Sequence, residues 1–105
     1  MINISFENKV LRIVGHAARE LEHPVCVAIS AATQMLKVGL RSTLGLSFPL
    51  VQREGLYEFN LSPCYSETVS LLITIYLDFL DTVRKKYPRE IKIASDTDTL
   101  RFPNI

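Results

Sequence analysis

Cysteine is scarce in this chain, with Cys26 and Cys64 the two thiols among 105 residues. Two thiols cannot build the disulfide framework of a small secreted domain. Charge of one sign is lacking too. The formal net charge is +1, and acidic and basic residues are interspersed, which excludes the strongly basic footprint of a nucleic-acid binder. The basic cluster Arg84 to Lys86 reads instead as the last turn of a helix, where positive charge complements the macrodipole. The opening MINISFENK has no basic segment followed by an apolar core, so no signal peptide is expected. The most apolar stretch, LLITIYLDFL, is interrupted by Asp78 and is too short to span a membrane. No internal repeat and no linker are visible. These absences leave a cytoplasmic protein with reduced thiols as the expectation, without a membrane or nucleic-acid partner.

What is present suits a single α+β domain over residues 1–94, with a tail at 95–105. Nearly half of the residues are apolar, enough for a core without a disulfide, a metal or any other cofactor. Ile2, Ile4 and Phe6 alternate with Asn3 and Ser5, the period of a half-buried strand. Residues 7–9 make a turn, and Val10 to Val14 read as the returning strand, ended by Gly15. Residues 16–23 are charged and irregular, hence a loop.

Between Pro24 and Leu36 there is no charged residue. Proline is tolerated in the first turn of a helix, and the small and apolar residues that follow suit a helix buried on most sides. Gly39 and Gly45 bracket its end. Two alternating segments follow, Leu46 to Gln52 and Leu56 to Ser62, with Arg53 to Gly55 as a hairpin turn. Pro49 cannot donate to a ladder, which puts the first of them at a sheet edge.

Ser66 is the expected cap of a second helix that runs to about Lys86 and is stopped by Pro88. Val69, Leu72, Ile73, Tyr76, Leu80 and Val83 form its core stripe at helical spacing. Leu71, Ile75 and Phe79 form a second apolar ridge, read either as a dimer contact or as a wider core face. Glu90 to Ala94 form a short final strand. The order strand-strand-helix-strand-strand-helix-strand predicts two helices packed on a mostly antiparallel sheet.

Cys26 falls in the first turn of the first helix, where unpaired N–H groups and the positive dipole end favour a thiolate. His16 leaves the end of a strand ten residues earlier, and the intervening loop can bring its imidazole to that helix start. A cysteine activated by a histidine is the minimal pair for acyl transfer, and the same N–H groups suit a tetrahedral oxyanion. Taken singly, each residue has a plainer role, the cysteine as a small core residue and the histidine as a packing residue. His16, His23, Cys26 and Cys64 also include the ligand types of a zinc centre, although no Cys-x-x-Cys pair exists. Cys64, just before the second helix, reads as incidental.

The segments Gly15-His16-Ala17 and VCVAIS (Val25 to Ser30) resemble the ribosomal-processing cysteine proteases of bacteria. The likeness continues through Ser30, Gln34, Gly39 and Leu40, and through FLDTVRKKYPREIKI near the C-terminus. It covers about residues 1–94. It implies a cytoplasmic homodimeric peptidase that removes a short N-terminal extension from a large-subunit ribosomal protein. Cys26 would be the nucleophile and His16 the general base, with the loop between them ordered by the substrate. Ser30, one turn after Cys26, would face the same site, or bond back to its own helix.

The chain departs from the family pattern at one informative place. Members commonly carry an aspartate three residues before the cysteine, and here that position is His23. The loop also lacks the usual glycine and aromatic residues and is shorter. An aspartate at a helix start caps N–H groups and can orient a histidine. Glu20 or Glu22 would have to supply the carboxylate, or else both are solvated loop charges. The alternative function is a non-catalytic relative that serves as a dimeric binding module in ribosome assembly.

Overall fold

The structure is a computed structural model that describes residues 1–15 and 23–95. Its strands are β1 (Ile2–Glu7), β2 (Val10–Gly15), β3 (Leu50–Arg53), β4 (Leu56–Asn60) and β5 (Ile91–Ser95), and its helices are α1 (Pro24–Val38) and α2 (Glu67–Lys86). The sheet order is β3-β4-β2-β1-β5. β1–β2, β2–β4 and β3–β4 pair antiparallel, and β1–β5 pair parallel. The α+β class, the element order and the mostly antiparallel sheet all follow the sequence expectation. The one parallel pair arises because β5 enters after a helix, the long connection that parallel neighbours need.

Each hairpin has a local cause. Asn8 and Lys9 both take positive φ, 52° and 65°, as a two-residue turn matched to strand twist requires. Lys9 holds its ammonium over the Tyr65 ring, 5.3 Å from the centroid, a cation–π contact. In the second hairpin Gly55 takes φ 75°, which suits glycine.

Alternation along the strands gives the sheet one dry face. Ile4, Phe6, Leu11, Ile13 and Phe59 point inward, and both helices lie on them: Val25, Ile29 and Leu36 from α1, Val69, Ile73 and Leu80 from α2. On the other face Arg12 stands opposite Glu58 in the β2–β4 register and pairs with it at 2.9 Å. The helices run antiparallel, since the start of α1 meets the end of α2 through the His23 and Tyr87 rings, 5.9 Å apart. At mid-length the Thr33 and Tyr76 hydroxyls share a buried hydrogen bond of 2.7 Å. Burial pushes the Tyr76 phenol up to about 12, against the opposing effect of the Thr33 bond.

Several boundaries differ from the sequence reading. The strand expected from Leu46 begins only at Leu50, because Pro49 brings no N–H to the ladder. Pro49 still accepts through its carbonyl from the Asn60 N–H, and β3 lies at the edge as expected. α1 passes Leu36, and Gly39 keeps ordinary helical angles. The chain then widens into a π-helical turn, Gly39–Thr43. Gly45, at φ 66°, ends the segment. Cys64, just before α2, ends a short 3-10 turn, Ser62–Cys64. Ser95, read as the start of the tail, belongs to β5, and the rest of the tail lies outside the described residues.

Ser66 caps α2 by accepting from the Val69 N–H at 3.2 Å, as expected. In the last turn Arg84 and Lys85 pair with Asp81, and the Arg84 hydrogen bond holds the Asp81 carboxyl below its usual range. The second ridge of α2 is not a wider core face. Leu71, Ile75 and Phe79 are 46, 58 and 47% exposed.

Candidate active site

The site begins where β2 ends. Gly15 has φ 106°, and a Cβ there would run into the Met1 carbonyl oxygen. Its N–H donates to the Gly55 carbonyl at 2.9 Å. Both the left-handed backbone and the close approach require glycine, so the first letter of Gly15-His16-Ala17 has a steric reason. His16 follows directly and lies outside the described residues, as do Glu20 and Glu22.

α1 opens on the far side of that gap. Pro24 occupies the first helical position, where its missing N–H costs nothing. His23 is the N-cap: its Nδ1 accepts from the Val25 N–H at 3.2 Å, and its carbonyl accepts from the Val27 N–H at 3.1 Å. A bare ring nitrogen thus stands where an aspartate cap would place a carboxylate oxygen. No acidic side chain stands in the first turn of α1, so nothing within that turn neutralises the positive end of the helix next to Cys26.

Cys26 is half-buried and, with Ser30 one turn on, lines a cavity of about 390 Å³. Gly15 lines the same cavity. Ile2, Ile13, Ile29 and Leu56 supply apolar lining, and Gln52 to Gly55 and Tyr57 form its other wall. The structure therefore brings Cys26, Ser30 and the residue before His16 to one concavity. Ser30, Gln52, Arg53, Glu54 and Tyr57 give the cavity polar groups opposite its apolar lining.

The hairpin wall was missed in the sequence. Residues 52–57 carry no motif, and they reach the site only because Val14 pairs with Leu56 and Ile13 with Tyr57. Two contacts tie this wall to α1: Gln34 Nε2 donates to the Tyr57 hydroxyl at 3.4 Å, and Lys37 Nζ donates to Gln52 Oε1 at 3.1 Å.

Cys64 does not join the site. The neighbouring Leu61 N–H bonds to the Lys9 carbonyl, at the opposite end of β2 from Gly15. Burial pushes the Cys64 thiol up, and its Sγ lies 3.7 Å from the Leu61 carbonyl. Among the described residues no group of three His, Cys, Asp or Glu side chains is placed to hold a metal ion. Nor is any described helix long and apolar enough to cross a membrane.

Solved structures carry the same arrangement of elements. The ribosomal processing protease Prp from S. aureus, in complex with a covalently linked product peptide, superposes with a TM-score of 0.72 at 18% identity, covering 90% of this chain and 97% of that one. The two chains share a fold. The same protease in complex with a substrate peptide gives 0.62 at 15% identity, over 90% of this chain and 97% of that one. A protein from Streptococcus mutans gives 0.67 at 19% identity, over 90% of each chain. No protein-family model matches the sequence, and no curated protein does. The fold is the one implied by the resemblance that Gly15-His16-Ala17 and Val25 to Ser30 carry.

Proposed function

We propose that this chain is a cysteine peptidase of the ribosomal-processing type, with residues 1–94 as one peptidase domain. The observation that carries the reading is the placement of Cys26, in the first turn of α1, on a cavity shared with Gly15, the residue that precedes His16. In this reading a short N-terminal extension of a large-subunit ribosomal protein lies across the cavity, between α1 and the β3–β4 hairpin. His16 takes the Cys26 proton, and the thiolate attacks the scissile carbonyl carbon. The carbonyl electrons move onto oxygen, facing the positive end of α1. Collapse of that intermediate expels the amine, which takes the proton from His16. Water, deprotonated by His16, then cleaves the thioester and restores the thiol.

His23 keeps the start of α1 capped, Ser30 contributes to the wall, and Glu20 or Glu22 is the sequence candidate for a carboxylate beside His16. The exposed ridge Leu71, Ile75 and Phe79 serves as a homodimer contact, and the enzyme works in the cytoplasm. It uses no metal or cofactor. One observation favours a second reading, a non-catalytic dimeric binding module in ribosome assembly: the aspartate expected before the cysteine is replaced by His23. Incubation with the same organism's extended ribosomal protein separates the two. Shortening by the wild type and not by Cys26→Ala is the expected result, and an untouched extension would sink the peptidase reading.

A further inference from the structure

An imidazole is an unusual fastener for a helix start, because it accepts a hydrogen bond only while one ring nitrogen is bare. The Val25 N–H points at His23 Nδ1 from 3.2 Å, so the ring that holds α1 carries its proton on Nε2. The usual caps, serine, threonine, asparagine and aspartate, accept with an oxygen that keeps lone pairs at any ordinary pH. Histidine does not: once protonated, both of its nitrogens are donors. An Nδ1–H would then face the Val25 N–H, and a new positive charge would stand where the macrodipole is already positive.

Among the described residues, little offsets that charge. The first turn of α1 has no acidic residue, and its one titratable side chain is Cys26, three positions on. From α2 the ring meets Tyr87 at 5.9 Å. The last turn of that helix contributes Arg84, Lys85 and Lys86, of which Arg84 and Lys85 already engage Asp81. The ring is thus held between the end of one helix and the start of another by contacts suited to its neutral form. Imidazole is also the side chain that ordinarily changes charge in the mildly acidic range.

We infer that the start of α1, and with it the position of Cys26, is held by a cap that a proton removes: His23 fastens the first turn only while neutral, and mild acid releases it. His23 is a positioning residue and touches no substrate in this scheme. The consequence for catalysis rests on Cys26 being the nucleophile, whereas the release of the helix start does not.

The test is long-range proton–nitrogen NMR on the full-length, nitrogen-labelled chain between pH 8 and 5, in the wild type and in His23→Asn. The variant caps with an oxygen and cannot titrate, so it keeps the fold while removing the switch. In the wild type, His23 should be the Nε2–H tautomer at pH 8. The Val25 amide should shift in step with the His23 ring, and its protection against exchange should drop about five-fold, the size of one helix cap. In His23→Asn the Val25 amide should keep both its position and its protection across the range. An Nδ1–H tautomer at pH 8 overturns the inference, as does a Val25 amide that moves equally in both proteins. Normal amide behaviour alongside an uncleaved ribosomal protein would uphold the cap and count against the peptidase reading alone.

Discussion

Two thiols in one small chain sit at different places in the fold, and a labelling experiment can read the difference. Cys64 is pushed toward its protonated form by burial, and only the thiolate is nucleophilic. Cys26 stands in a helix first turn that itself holds no acid and lines an open cavity. Iodoacetamide near neutral pH should therefore modify Cys26 well before Cys64, and mass spectrometry of the digested protein should show it. Cys26→Ser should remove the fast phase, and equal labelling of both thiols would make Cys26 an ordinary half-buried cysteine. Gly15 gives a second residue-scale prediction. Gly15→Ala must bear a positive φ and a clash with the Met1 backbone, so a loss of about 1–3 kcal/mol is expected in urea unfolding. Of the candidate site, Cys26 and Ser30 were legible as parts of one short motif, and both line the cavity. The hairpin wall at residues 52–57 stayed hidden because strand register, and no local pattern, brings it there.

Among the elements, the contact between α1 and α2 has a chemical signature. Thr33 and Tyr76 share a buried hydrogen bond, and the Tyr76 phenol titrates at about 12 when folded. In the unfolded chain a tyrosine ionises near pH 10. The stabilisation is therefore complete below pH 10 and is lost as pH rises from 10 to 12, because the unfolded state gives up its proton first. That window is worth about 2–3 kcal/mol. Comparison of urea midpoints at pH 9.5 and 11.5 should show a smaller drop for Tyr76→Phe than for the wild type; an equal drop would remove Tyr76 as the source. The elements themselves were largely legible. α2 announced its cap at Ser66 and its stop at Pro88, and the alternation of Ile2, Ile4 and Phe6 named the buried face of β1. The start of β3 and the π-helical turn after Val38 were not legible. Propensity marks Pro49 and Gly39 as punctuation without saying on which side of each the element lies.

For the molecule as a whole, the groove between the helices is the unfinished surface. Ala31, Met35, Ile75 and Phe79 line an apolar concavity of about 340 Å³, contiguous with the exposed ridge of α2. Under the homodimer proposal, the protein should sediment near twice 11.9 kDa. Ile75→Glu should shift it to the monomer with its circular dichroism unchanged. A wild type that stays monomeric at high micromolar concentration would leave the ridge without that role. The cavity and the groove both lie on the helix-covered side of the sheet. The reverse side carries Arg12, Glu58 and the exposed Lys92, away from the groove. That division gives the protein a handle. A fluorophore or surface linker attached through a cysteine placed at Lys92, in a background where both native thiols are accounted for, would report on binding from behind without crowding the site it watches.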